Sequence, residues 1–152
     1  MTIEDSYNFR RISERLTTSG LVSAAQLTGL RGEGYDAVIN LLPDGHERAV
    51  TDEARIVGDQ GLDYVYIPVD FEAPTRADLE AFTRAMSARA DQKVHVHCAA
   101  NYRVSAFYSL YALRNGLCTE DEAHELVRGV WNPADYPVWM SFIADERTQT
   151  TP

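Results

Sequence analysis

The sequence predicts an α/β fold: a central, mostly parallel, twisted sheet of about four to five strands flanked by helices, with an all-helical C-terminal third. Three observations predict it. Short β-branched and aromatic runs alternate along the chain with stretches of helical period. After the last such run only helical patterns remain, so that third must pack onto the sheet. No repeat, low-complexity tract or Pro/Gly-rich linker divides the 152 residues, which read as one domain, 1–152, with a sizeable core.

Taken in order, residues 1–13 carry Tyr7, Phe9 and Ile12 among charges and read as an irregular N-terminal arm. Arg15 to Gly20 reads as a short edge strand ending at glycine. Ser23-x-x-Gln26 is a capping box that opens a short helix stopping near Gly32 and Gly34. Asp36 to Leu42 is a buried strand cut by the turn sequence Pro43-Asp44-Gly45. Ala49 to Gln60 reads as a helix with Val50, Ala54 and Val57 on one face and Gly61 at its end. Tyr64 to Val69 is the next strand, and Pro68 marks its end or an edge. Thr75 caps a helix whose apolar face holds Leu79, Phe82 and Met86. Lys93 to Cys98 is the following strand, and a helix runs from its loop to Asn115-Gly116. Thr119-x-x-Glu122 is a second capping box, before Ala123, Leu126, Val127, Val130 and Trp131 at helical spacing. Asn132-Pro133 breaks that helix. A last one starts at Asp135 or Tyr136, with Val138, Trp139, Phe142 and Ile143 inward, and the tail from Thr148 (148–152) reads as frayed.

Composition narrows the function classes. With 45% apolar and 24% charged residues the chain is ordinary for a globular protein. Its net charge of −9 argues against nucleic acid or an anionic membrane as partner. An acidic protein that binds anions must do so locally, with backbone amides and a placed arginine. No apolar run is long enough to cross a bilayer, and the acidic start Met1-Thr2-Ile3-Glu4-Asp5 is unlike a secretory signal. Two cysteines make no disulfide framework, so the expected compartment is the reducing cytoplasm.

The stretch Lys93-Val94-His95-Val96-His97-Cys98-Ala99-Ala100-Asn101-Tyr102-Arg103-Val104-Ser105 carries the chemistry. A strand ends in His-Cys, a loop follows, and Val104, Phe107, Tyr108, Tyr111 and Ala112 recur at helical spacing. Successive N–H groups of such a loop point into one concavity, and the helix start adds free donors and partial positive charge. A thiol placed there ionises readily, and an arginine fork matches two phosphate oxygens. Ligands of parallel sheets bind at the carboxyl ends of strands. Cys98, Asp70 and the Pro43-Asp44-Gly45 turn all stand at such ends and can share one mouth.

His97-Cys98, followed by Arg103 and Ser105, resembles the His-Cys-x5-Arg-Ser/Thr signature of the cysteine-dependent protein tyrosine and dual-specificity phosphatases. Ala37-Val38-Ile39-Asn40-Leu41 resembles the early strand of the dual-specificity group. Tyr64 to Asp70 resembles the segment that ends in its general-acid aspartate, so the resemblance covers residues 15–115. It is strongest with compact bacterial phosphatase-like proteins. The resemblance implies Cys98 as nucleophile, Arg103 as phosphate clamp within the loop Ala99–Arg103, and Asp70 as general acid. It also implies that Ser105 hydrogen-bonds the thiolate and that His97 orients the cysteine. The implied reaction is hydrolysis of phosphate monoesters through a cysteinyl-phosphate, with no metal or other cofactor. The implied partner is a phosphorylated protein or small molecule, or a free phosphate or sulfate anion.

One departure matters. Four residues, Ala99 to Tyr102, separate Cys98 from Arg103 where the phosphatases have five. Ser105 nevertheless stands seven after Cys98, where their Ser/Thr stands, and Asn101 stands where they often have glycine. Either the arginine sits one helical step early, turned by about 100°, or the loop is one residue shorter and the arginine still reaches. Both geometries suit the sequence. Two alternatives to a phosphatase follow: a phosphatase-like module that binds anions with weak or no turnover, and a rhodanese-like sulfurtransferase with a Cys98 persulfide. Rhodaneses often carry Cys-x-x-Gly-x-Arg at this length, although no Gly-His-Ile-Pro-Gly-Ala segment stands upstream.

Other residues have structural readings. Asp70 also suits a turn carboxylate ahead of the helix at Thr75, with Glu72 its nearest substitute as acid and Asp44 a more distant one. His95 and His97 share a strand face with metal-ligand chemistry, but no second cluster with zinc spacing accompanies them. His46, His124 and Cys118 read as surface or structural. Tyr102, Trp131, Tyr136 and Trp139 read as core by periodicity, except that Tyr102, inside the loop, can wall the pocket or block it.

Overall fold

The computed structural model describes residues 1–148, and the expected frayed tail, apart from Thr148, lies outside them. Five strands form one sheet: β1 (Arg10–Ser13), β2 (Leu16–Ser19), β3 (Ala37–Asn40), β4 (Asp63–Tyr66) and β5 (Val94–His97). Their spatial order is β1-β2-β5-β3-β4, with β1 antiparallel to β2 and every other pair parallel. The predicted α/β class and mostly parallel sheet are observed. Two local expectations are corrected. The end of the N-terminal arm is a strand, and because it covers β2, that strand is interior rather than an edge, with all four residues buried. Charged β1 takes the exposed edge, which suits its arginines.

Among the described residues six α-helices flank the sheet: α1 (Ala24–Thr28), α2 (Glu53–Gly58), α3 (Arg76–Ala88), α4 (Tyr102–Arg114), α5 (Glu120–Arg128) and α6 (Pro137–Thr148). Both predicted capping boxes form, Ser23 with Gln26 and Thr119 with Glu122, and Thr75 caps α3 through the Asp78 amide. α2 begins four residues later than Ala49, at Glu53. β4 stops at Tyr66, ahead of Pro68, and is the sheet's second edge.

Strand alternation divides the interior into two cores. Ala37, Ile39, Val94, Val96 and Cys98 join Leu79, Phe82, Val104, Phe107, Leu110, Val127 and Trp139 under α3, α4, α5 and α6. Val38 joins Leu27, Leu30, Tyr35 and Val57 under α1 and α2. Val138, expected inward, is exposed, because Trp139 takes the inward position at the start of α6. Among the described residues no helix is long and apolar enough to cross a membrane.

Candidate active site

β5 ends in a peptide held from both sides. The His97 carbonyl accepts from the Leu41 amide of the segment after β3 at 2.9 Å, and the Cys98 amide donates to the Ser19 carbonyl of β2 at 3.3 Å. Cys98 is fully buried, at 0% exposure, on the face of α3, α4 and α6. His95 and His97 take the opposite face.

The loop Ala99–Asn101 then turns into α4. Asn101 makes the turn in the left-handed region, at φ 69°, which asparagine tolerates better than most residues. Its Nδ2 donates to the Asn8 carbonyl and to Thr18 Oγ1, both at 3.0 Å. Asn8, itself at φ 51°, returns a bond from Nδ2 to the Ala100 carbonyl at 3.0 Å. The third non-glycine residue of positive φ, Asp52 at 62°, immediately precedes Glu53, whose carboxylate meets His97. Among the described residues, then, every such residue borders the cysteine loop or the pair behind it. Costly backbone of this kind persists where surrounding structure over-determines it, and functional sites are where it gathers. Gly20 completes the cradle: a Cβ there would stand 2.5 Å from the Ala99 oxygen and 2.8 Å from Ala100 Cα.

Arg103 is the second residue of α4 and only 7% exposed. Its Nη1 donates to the Val69 carbonyl at 2.9 Å, and its Cζ lies 5.5 Å from the centre of the Phe71 ring. Its Nε is buried without a partner, and among the described residues no carboxylate pairs with the guanidinium. The arginine therefore turns toward the loop that carries Asp70. Val104, one step on, is wholly buried in the core. The Ser105 hydroxyl donates to the Tyr102 carbonyl at 3.1 Å and accepts from Trp131 Nε1 at 3.0 Å. Neither bond reaches Cys98.

Asp70 stands exposed one residue beyond Val69. Its Oδ1 accepts from the Glu72 amide at 2.9 Å and its carbonyl accepts from Ala73, a tight turn that leaves Oδ2 without a hydrogen bond from the described residues. Glu72 and Asp44 are also exposed. The loop is anchored by Phe71, whose carbonyl accepts from Trp139 Nε1 at 2.8 Å and whose ring meets Tyr102, Trp131 and Tyr136. Tyr102 lies flat on Trp131, centroids 4.6 Å apart. The all-helical third thus holds the Asp70 loop against the start of α4.

Behind the loop lie two polar arrangements that a linear reading does not show. Glu53 Oε2 accepts from His97 Nε2 at 2.6 Å, with both side chains buried. His95 accepts at Nδ1 from Thr17 (2.8 Å) and donates from Nε2 to Ser19 (2.8 Å). Ser19 passes its own proton to the Gly20 carbonyl, and Tyr35 donates to Thr17. That direction of donation fixes His95 as the neutral Nε2–H tautomer. Burial, with the His97 charge as a smaller cause, holds its pKa well below the ordinary histidine value. Burial likewise raises the Tyr64 phenol, against the bond from Asn40, and the nearby Glu53 carboxylate raises it further.

The family model for the phosphatase-like domain of beta-lactamase hydrolase-like protein matches residues 8–114. The chain belongs to this family. The resemblance to cysteine-dependent phosphatases is thereby upheld at the level of the family and its fold. Among curated relatives of this phosphatase-like family, the beta-lactamase hydrolase-like protein of Agrobacterium fabrum is 38% identical over 103 residues, covering 66% of this chain and 24% of that protein. The chain thus spans about a quarter of the length of the curated relatives it matches. A DUF442 protein of Shewanella putrefaciens CN-32, described as a candidate phosphatase, superposes with a TM-score of 0.88 at 37% identity, over 97% of this chain and 96% of that one. Pseudomonas aeruginosa TpbA, solved in complex with pTyr, shares the fold with a TM-score of 0.70 at 18% identity, over 94% and 90% of the two chains.

Proposed function

We propose that the protein is a cysteine-dependent phosphomonoesterase of the protein tyrosine and dual-specificity type. The observation that carries this reading is Arg103: a guanidinium nine-tenths buried, its Nε unpartnered, with no carboxylate among the described residues paired to it. A buried charge without a counter-charge costs several kcal/mol. A doubly charged oxyanion over the Cys98 loop removes that cost and takes up the free amides at the start of α4.

In this reading the Cys98 thiolate attacks phosphorus. The S–P bond forms as the bond to the leaving oxygen breaks, and Asp70 gives that oxygen its proton. Water then attacks phosphorus, Asp70 takes a proton from it, and the thiolate leaves with phosphate formed. Loop amides and Arg103 hold the three equatorial oxygens through both steps. The pTyr bound by TpbA, a protein of the same fold, is an anion of the kind required.

Hydrolysis of p-nitrophenyl phosphate tests the reading. Activity should disappear in Cys98→Ser, and Asp70→Asn should slow turnover most for poor leaving groups. A fully active Cys98→Ser protein would refute it. One observation favours the second reading, an anion-binding module: Cys98 has no exposed surface while the Asp70 loop is tied to Arg103. Phosphate that protects Cys98 from alkylation, without hydrolysis of any aryl phosphate, is the result that selects it.

A further inference from the structure

The Glu53–His97 pair stands outside the steps above, although it is the most deeply buried ion-pairing contact among the described residues, at 6% and 2% exposure. Burial of a carboxylate is costly unless a cation or donor meets it. Among the described residues the Glu53 carboxylate has one hydrogen-bond partner, His97 Nε2, at an N···O distance of 2.6 Å, shorter than is usual for a charge-assisted N–H···O bond. The chain takes a left-handed, non-glycine turn at Asp52 to bring that carboxylate inward at the first residue of α2. The arrangement therefore carries a conformational cost in addition to the cost of burial.

Covalent geometry then says what the pair can do. Nε2 is the distal nitrogen of the ring, so the proximal edge, with Nδ1, lies toward the strand. A ring held this way belongs to the residue joined directly to Cys98, and its Nδ1 is buried with no hydrogen-bond partner among the described residues. The peptide linking the two is already pinned by Leu41 and Ser19. With that peptide held on both sides and the His97 ring held by Glu53, the backbone that carries Cys98 is fixed from two directions. The charged and titratable groups facing the ring are Glu53 from α2, His95 from β5 and, beyond Glu53, Tyr64 from β4.

We propose that Glu53 is a positioning residue for Cys98 and acts through His97, holding its Nε2 proton and its ring orientation. This rests on the reading of Cys98 as the nucleophile. Carboxylates that orient metal-bound histidines change affinity or activity by about 10- to 100-fold when removed, which sets the scale for a carboxylate that orients a ring.

The test compares Glu53→Gln, which keeps an acceptor but loses the charge, with Glu53→Ala, both in a Cys118→Ser background so that only Cys98 is alkylated. Two rates are read: kcat for p-nitrophenyl phosphate, and alkylation of Cys98 by iodoacetamide. The inhibition constant of inorganic phosphate is read beside them. Expected is a fall of about 10- to 100-fold in both rates for Glu53→Gln, with the phosphate constant unchanged because Arg103 and the loop amides are untouched. Introduced into His97→Gln, Glu53→Gln should cause no further loss, since the effect passes through that ring. A Glu53→Gln protein that only melts at lower temperature, with both rates intact, overturns the proposal, and so does full additivity with His97→Gln. If the wild-type protein hydrolyses no ester, the phosphatase reading fails and alkylation alone decides: equal rates for wild type and Glu53→Gln overturn the inference. Wild-type Cys98 that resists alkylation altogether overturns both.

Discussion

The Arg103 guanidinium is bonded to the Val69 carbonyl, one residue before Asp70. The residue proposed to hold the anion thus also holds the loop proposed to supply the proton. A guanidinium can do both, since Nη1 serves the carbonyl while its other donors remain for oxygens of a ligand.

Replacing Arg103 should therefore remove anion binding and loosen the Asp70 loop together. In the wild-type protein inorganic phosphate should raise Tm, by linkage of binding to folding. In Arg103→Ala it should not, and kcat/KM for p-nitrophenyl phosphate should fall by about 10²- to 10³-fold, the loss typical of one transition-state donor. Arg103→Lys keeps the charge but not the fork, so it should recover little of either. Phosphate stabilising Arg103→Ala as strongly as wild type would show that the anion lies elsewhere.

Gly20 should be as sensitive as the loop residues themselves. The atoms that a methyl group would strike are the Ala99 oxygen and Ala100 Cα, both backbone, so no side chain can swing aside. Gly20→Ala should cost about 1–3 kcal/mol in urea unfolding, the usual range for overpacking, and lower activity in a protein that remains folded. Gly32→Ala is the control, because its methyl group meets nothing within 4 Å.

What was legible in the sequence was what local pattern carries. The alternation of strand and helix, both capping boxes and the passage from Val94 through Cys98 into α4 depend on neighbours within a few residues. The direction of Arg103 was not legible, because it depends on which chain segment lies opposite, and Val69 is 34 residues away. Glu53 had no local mark at all: its partner is 44 residues downstream, and an acidic residue opening a helix is commonplace. The nearest available signal was the pair of polar residues His95 and His97 on one face of a strand in a mostly parallel sheet, whose faces are covered, so that both demand partners from elsewhere. Asn8 and Gly20 escaped for the same reason, since their contacts with Ala99 and Ala100 span the sheet.

Ser105 separates resemblance from structure. The signature implies that its hydroxyl serves the thiolate; here it serves the Tyr102 carbonyl and Trp131 Nε1. Ser105→Ala should leave the buried indole N–H unsatisfied and destabilise the protein by about 1–3 kcal/mol. Breakdown of the covalent intermediate should be unaffected, so rapid-mixing traces should show the same ratio of burst to steady rate as wild type. A larger burst followed by slower turnover would return Ser105 to the thiolate.

His95 sets a pH dependence of stability whose sign follows from its surroundings. Its ring is wholly buried, accepts from Thr17 and donates to Ser19, and has no place for a second proton on Nδ1. Burial chiefly, and the charge on His97 in addition, hold its folded pKa well below the ordinary value of 6.5. As pH falls through about 6.5, the unfolded chain therefore takes up a proton that the folded protein refuses. Stability is full above that pH and declines below it, by up to about 1.4 kcal/mol per pH unit, until the folded pKa is reached. Urea unfolding at about pH 7.5 and about pH 5.5 spans this window while staying above the ordinary carboxylate range. His95→Gln should start less stable, because one amide cannot reproduce both ring contacts, but should lose this one-proton slope. The slope surviving in His95→Gln would assign it to another group.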